Sequence, residues 1–170
     1  LMIPQRLAFV AVPGFFLLSG GKLTLPRSRP QTAGSYWMGR CRSILLPYLL
    51  AVMVYYLTFV FLLRWFPFSW PELARYTVTG SLSAPFYFLI ALFQFILLFP
   101  LFRWLAQRWS AAVLLPFALG LTWVSSMYFN AVLQLFVPGA VFPYGDRVFT
   151  TYLFYYLAGC CIGANYAGFL

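Results

Sequence analysis

Between Ile44 and Leu63 the chain runs for 20 residues without one charged side chain. In a helix that length rises about 30 Å, the thickness of a bilayer's hydrocarbon core. Further apolar runs extend from about Leu7 to Ser19, short for a full span and interrupted by Pro13-Gly14, where a kink or close helix contact is expected, and from Pro85 to Phe102, Ser110 to Phe136 and Val148 to Leu170. Apolar residues make up 64% of the chain and charged residues 8%, whereas a soluble domain needs roughly a quarter charged to cover its exterior. The sequence therefore predicts an all-α integral membrane protein, a bundle of about five transmembrane helices in a single domain over residues 1–170. Leu1 in place of Met, with an apolar run starting almost at once, reads as a fragment of a longer chain. No basic start or small-residue cleavage pattern suggests a signal peptide.

The charges lie at the ends of these runs. Lys22, Arg27, Arg29, Arg40 and Arg42 crowd a segment of about 20–43 that holds no acidic residue. Pro26, Pro30 and Gly34 argue against a long helix there, so it is expected to be a basic loop. Arg103 and Arg108 follow the third run, and the positive-inside rule places both groups in the cytoplasm. Arg6, Arg64, Arg75 and Arg147, offset by Glu72 and Asp146, mark the opposite side. The net charge of +9 forms no continuous face, which argues against a nucleic-acid partner. Topology and contact with anionic membrane lipids explain these charges without any substrate.

Chemistry-bearing residues are sparse. There is no histidine, and with two scattered carboxylates a metal site is not expected. Cys41, Cys160 and Cys161 form no disulfide framework, and the adjacent pair suits helix packing. Ser69-Trp70-Pro71-Glu72 has the spacing of a capping box, with Pro71 in the first turn and Glu72 one turn from Arg75 on a short surface helix. Asp146 should stay ionised beside Arg147, within a turn at Tyr144-Gly145-Asp146. Ser126, Asn130 and Gln134 share a face of the fourth run. A polar stripe in a membrane helix faces protein or water, and interhelical glue and a substrate cavity both fit it. Gly159 and Gly163 form a G-x-x-x-G, the signature of close helix approach.

Phe15-Phe16-Leu17-Leu18-Ser19-Gly20, the basic segment, and then Arg40 … Ile44-Leu45-Leu46-Pro47-Tyr48 together resemble the acyltransferase 3 family of membrane O-acyltransferases. Phe86-Tyr87-Phe88 … Gln94 … Phe99-Pro100-Leu101 is similar to a later helix of that family, and Tyr155-Tyr156 … Gly159 … Gly163 to another. The ordered set covers nearly the whole chain and marks Phe16, Ser19, Gly20, Pro47, Tyr48, Gln94 and Pro100 as motif positions. There are departures: the second arginine of the family's R-x-x-R falls on Ser43, with Arg42 beside it, and Pro85 stands where a histidine is frequent.

The resemblance implies a membrane acyltransferase, partial relative to a family of about ten helices. It would move an acetyl or similar acyl group from acyl-CoA, a donor substrate rather than a bound cofactor, to a hydroxyl of a cell-surface polysaccharide or lipid-linked sugar. The membrane would be the cytoplasmic one. Lys22, Arg40 and Arg42 then become candidate ligands for the phosphates of coenzyme A. The histidine thought to be catalytic belongs to the family's first helix, expected upstream, so no catalytic residue is assigned in this chain and the fragment alone is expected to be inactive. Ser19 lacks a base to activate it and reads as a helix-end residue. The alternative is a non-enzymatic transporter or exporter component, which paired charges or half-helices within the runs would favour.

Overall fold

The computed structural model describes residues 2–24 and 33–165. Its regular structure there is helical: α1 (Met2–Thr24), α2 (Ala33–Arg40), α3 (Leu46–Leu57), α4 (Trp70–Thr79), α5 (Phe86–Leu97), α6 (Phe99–Arg108), α7 (Ala111–Phe136) and α8 (Leu153–Ala164). Wider π turns at Cys41–Leu45 and Thr58–Leu62 join α2 to α3 and extend α3, making one continuous helix from Gly34 to Leu62. Among the described residues two helices are long and apolar enough to span a membrane, Gly34–Leu62 and Ala111–Phe136, or three if α5 and α6 form one broken span. The expected membrane helices are present; the count of about five is met in part.

Several boundaries differ from expectation. Pro13-Gly14 does not break α1, which continues through Ser19, Gly20, Gly21 and Lys22 to Thr24. The next helix begins at Ala33, so Arg40 and Arg42 lie within a helix and not in a loop. Pro26, Arg27, Arg29 and Pro30, the centre of the expected basic loop, fall outside the described residues. The third run is interrupted at Leu98, and Pro100 sits in the first turn of α6, where its missing N–H is not needed.

The chain forms two compact units, one made of α1 with α6 to α8 and the other of α2 to α5. In the first, α1 and α8 meet backbone to backbone. A Cβ added at Gly20 would strike the carbonyl of Tyr156, and one at Gly159 the carbonyl of Leu17. At Gly163 it would strike Gly21 and the Thr24 side chain. Small residues permit this approach, and the association is then held by packing and by hydrogen bonds. Thr24 supplies one of these, its hydroxyl donating to the Cys160 carbonyl at 2.9 Å across the helix pair. Phe16, fully buried, stacks on Tyr152 with ring centres 4.7 Å apart, and Phe102 of α6 meets Tyr156 edge-on at 5.4 Å.

In the second unit, Tyr48, Val52, Tyr56 and Val60 are buried at four-residue spacing, one stripe of the long helix. The helix ends at Arg64, whose φ of 53° is the left-handed turn that commonly closes a helix, with the Trp65 N–H donating to the Phe59 carbonyl. The helix α4 then folds back along it. The Tyr56 hydroxyl donates to the Ser69 carbonyl at 2.8 Å and accepts from the Ser69 N–H at 2.9 Å. Eight residues earlier on the long helix, Tyr48 donates to the Thr77 carbonyl at 2.5 Å, eight residues later on the other strand of the pairing. This antiparallel register replaces the expected capping box, since the Ser69 side chain makes no cap hydrogen bond. Pro71 does sit in the first turn, and Glu72 pairs with Arg75 at 2.6 Å.

Gly80 closes α4 at φ 62°, a conformation that favours glycine, and a Cβ there would crowd the Phe86 backbone. Beyond it α5 continues in the same direction along the long helix. Phe86 packs on Tyr48 and Tyr55, and ten residues on, the Ile96 carbonyl accepts from the Trp37 indole N–H at 3.1 Å. The pair α4 and α5 is thus a discontinuous helix, antiparallel to Gly34–Leu62 and broken beside Tyr48.

Candidate functional site

The basic residues are carried on helices. Lys22 is exposed in the last turn of α1, in the first unit. Arg40 and Arg42 are in the second unit, where α2 passes into the π turn. Arg40 is half-buried, with its guanidinium 5.5 Å from the centre of the Tyr36 ring one turn back, a cation–π contact; Arg42 is exposed. Two residues apart on a helix, the two side chains leave on different faces. A single phosphate therefore meets one of them, where a loop would have let both converge.

The motif positions act mainly as packing and backbone positions. Phe16 and Gly20 form the α1 face that meets α8, while Ser19 lies within α1 and not at its end. The helix-end role foreseen for Ser19 passes to Thr24, whose hydroxyl lies 3.3 Å from the Gly20 and Gly21 carbonyls. Pro47 occupies the start of α3, exposed, and Tyr48 beside it is buried against α4 and Phe86. Gln94 is half-buried on α5, its amide donating to the Ile90 carbonyl at 3.4 Å.

Two adjoining cavities lie at the far end of α7, both within the first unit. One, of about 290 Å³, is polar and is lined by Ser125, Ser126, Asn130, Gly145, Asp146 and Thr151 together with apolar neighbours. The other, of about 250 Å³, is almost wholly apolar and is lined by Leu121, Val124, Val132, Leu133 and Phe136. Ser125 and Phe129 are common to both.

The polar stripe reaches this region only in part. Ser126 and Asn130 line the polar cavity, and Gln134 is exposed outside it. Asn130 also holds the return loop, its side-chain oxygen accepting from the Phe142 N–H at 2.9 Å. The buried polar face of α7 is a different one, Thr122 and Ser125. Thr122 donates to the Thr150 carbonyl at 3.1 Å and accepts from the Phe154 N–H at 3.0 Å, while the Ser125 and Thr150 hydroxyls are 2.5 Å apart. Thr122 and Ser125, three residues apart among apolar neighbours, were visible in the sequence as a second polar stripe, but nothing there ranked it above Ser126–Asn130.

Asp146 opens into the polar cavity from a 3₁₀ turn at Gly145–Arg147, its carboxylate 3.6 Å from the Arg147 guanidinium, which also stacks 4.3 Å over the Tyr144 ring. The turn expected at Tyr144 to Asp146 is thus in place. Shortly after Ser125-Ser126, α7 departs from helical geometry at Tyr128 (φ −124°, ψ 15°), which bends its last two turns. The site so formed offers hydroxyls, an amide and a carboxylate at one end of an apolar trough.

No curated protein and no solved structure matches the chain. A family model does, that of the acyltransferase 3 acyltransferase domain, over residues 1–169. Both stretches from which the resemblance was read, α1 around Gly20 and the long helix around Tyr48, lie inside that match, and the chain belongs to the acyltransferase 3 family of membrane acyltransferases.

Proposed function

We propose that this chain forms part of an O-acyltransferase that takes an acetyl or similarly small acyl group from cytoplasmic acyl-CoA and places it on a hydroxyl of a cell-surface polysaccharide or lipid-linked sugar, in the cytoplasmic membrane. The observation that carries the reading is the family match across residues 1–169. In the reaction the acceptor oxygen attacks the thioester carbonyl carbon, the carbon–sulfur bond breaks, and the hydroxyl proton passes through a base to the departing thiolate. A base working near neutral pH is best supplied by histidine. These 170 residues contain none, so the base is assigned to sequence outside them.

Within the chain, the arginines are the donor-side residues. Coenzyme A carries more than one phosphate group, and Arg40 and Arg42 on different helix faces suit separate phosphates better than a shared one. Arg42 is the more accessible of the two; Arg40 is braced against Tyr36. Lys22 adds a point charge at the end of α1. The test is binding of labelled acyl-CoA to membranes containing the whole protein. Arg42→Ala should weaken binding about tenfold, the scale of one charge-assisted contact, and Arg40→Ala by a similar factor. Undiminished binding in the double variant removes the pair from the donor site.

The transporter alternative draws on one observation, the half-helices α4 and α5 beside the long helix, a construction that transporters use. The two readings separate in vesicles loaded with acyl-CoA. An acyltransferase modifies an external acceptor without moving it, and a transporter moves the acceptor unmodified.

A further inference from the structure

The two cavities on α7 differ in chemistry and are neighbours, with Ser125 and Phe129 in the lining of both. The polar one presents the Ser126 hydroxyl, the Asn130 amide, the Asp146 carboxylate and the Thr151 hydroxyl, and among the described residues no cationic side chain lines it. Such a set suits a neutral polyhydroxylated group: carboxylate and side-chain carbonyl accept from its hydroxyls, while hydroxyl and amide donors complete the pattern. A phosphate or carboxylate ligand would meet the Asp146 carboxylate, while Arg147, 3.6 Å from that carboxylate, lies outside the lining. The apolar cavity shares Phe129 and Ser125 with the polar one and is otherwise lined by Leu121, Val124, Val132, Leu133, Phe136 and Thr150, whose hydroxyl is engaged with that of Ser125. It offers no partner for a sugar and suits a hydrocarbon chain.

We infer that this end of α7 binds an amphipathic acceptor, a sugar joined to a hydrocarbon chain, with the sugar among Ser126, Asn130, Asp146 and Thr151 and the chain along Val124, Val132 and Phe136. This deepens the acyltransferase reading and rests on it for the word acceptor; the binding itself does not. It also chooses between acceptors, since a water-soluble polysaccharide would leave the apolar trough unused. Asn130 has two parts in the site. Its oxygen holds the Phe142 N–H, leaving its amide group to face the ligand.

The probe is an alkyl glucoside with a photoreactive diazirine in its tail, applied without acyl donor to membranes containing the whole protein. The label should fall within residues 121–136. Octyl glucoside should compete at least about tenfold better than either octanol or free glucose, because only it fills both cavities. Asp146→Asn and Ser126→Ala should each lower labelling several-fold. Asn130→Asp keeps an oxygen for the Phe142 N–H while losing the amide donor, so it separates loss of ligand contact from loss of fold. Val132→Trp should exclude the tail and leave the melting temperature of the protein within a few degrees of the parent. Equal competition by octanol and octyl glucoside would reduce the site to a lipid-filled groove and overturn the proposal, as would labelling elsewhere. Labelling as expected in a protein that transfers no acyl group would leave this site standing and count against the enzymatic reading instead.

Discussion

Gly159 has no room for a side chain: a single Cβ there would collide with the Leu17 carbonyl, and one at Gly163 with Gly21 and Thr24. The Leu17 and Gly21 carbonyls are backbone obstacles, which cannot swing aside as a flexible side chain would. Gly159→Ala should therefore force α1 and α8 apart, at a cost of about 1–3 kcal/mol by the scale of overpacked cores, with Gly159→Leu costing more. The loss of the Thr24 hydrogen bond to Cys160 would follow from the same separation. Thermal unfolding in detergent reads it, and Gly14→Ala is the internal control, because a Cβ at Gly14 meets nothing within 4 Å. Equal melting temperatures for the two variants would show that the helices are not in contact as described. At this scale the sequence was half legible. The G-x-x-x-G on α8 is a local pattern and was read correctly. Its partner, Gly20-Gly21 followed by Lys22, carries the residues that usually end a helix, and only the opposing α8 makes them an interior packing surface.

Among the elements, α4 is held by tyrosines that lie far from it in sequence. The Tyr56 hydroxyl takes both backbone groups of Ser69, and so does the work at the head of α4 that a serine cap would otherwise do. Tyr56→Phe keeps the ring and its contacts with Phe66 and Phe68 but removes both bonds. The expected cost is about 1–3 kcal/mol. Amide exchange over Leu73–Tyr76 should quicken by one to two orders of magnitude (about 1.4 kcal/mol for each) if α4 opens without the rest. Tyr48→Phe, which loses one bond at the other end of α4, should have about half the effect. Unchanged exchange in both variants would mean that apolar packing alone positions α4. Pro71 and the Glu72–Arg75 pair were legible because they depend on residues within one turn. The cap was not, because its donor and acceptor come from a residue 13 positions away. The same holds for α7. Both of its polar faces have helical spacing, and Thr150 of the following 3₁₀ turn, not α7 itself, determines that Thr122 and Ser125 are the buried pair.

For the molecule as a whole, the decisive question is which side of the membrane each charge occupies. The 12 residues of α5 rise about 18 Å, too little for a hydrocarbon core of about 30 Å. The helix α4 lies along Tyr56 to Tyr48 of the long helix and α5 from Tyr48 to Trp37, so α5 is the apolar part of the return and α4, with its exposed Glu72–Arg75 pair, the polar part. Together they return along the long helix, with Gly80 at the break. Within the second unit the long helix carries Arg40 and Arg42 toward one end and Arg64 at the other, and the positive-inside rule predicts that the first end is cytoplasmic. In the first unit Arg108 precedes α7 while Val141 and Asp146 follow it, and the same rule predicts the Arg108 end inside and the Val141 end outside. Native Cys41, half-buried beside Arg42, reports the first side, and Val141→Cys, at an exposed position, reports the second. In sealed right-side-out vesicles a membrane-impermeant maleimide should modify Val141→Cys at once, and Cys41 only after the vesicles are opened. Modification of Cys41 in closed vesicles would put the arginines outside, away from cytoplasmic acyl-CoA, and the donor role proposed for them would fall even if α7 still bound an acceptor.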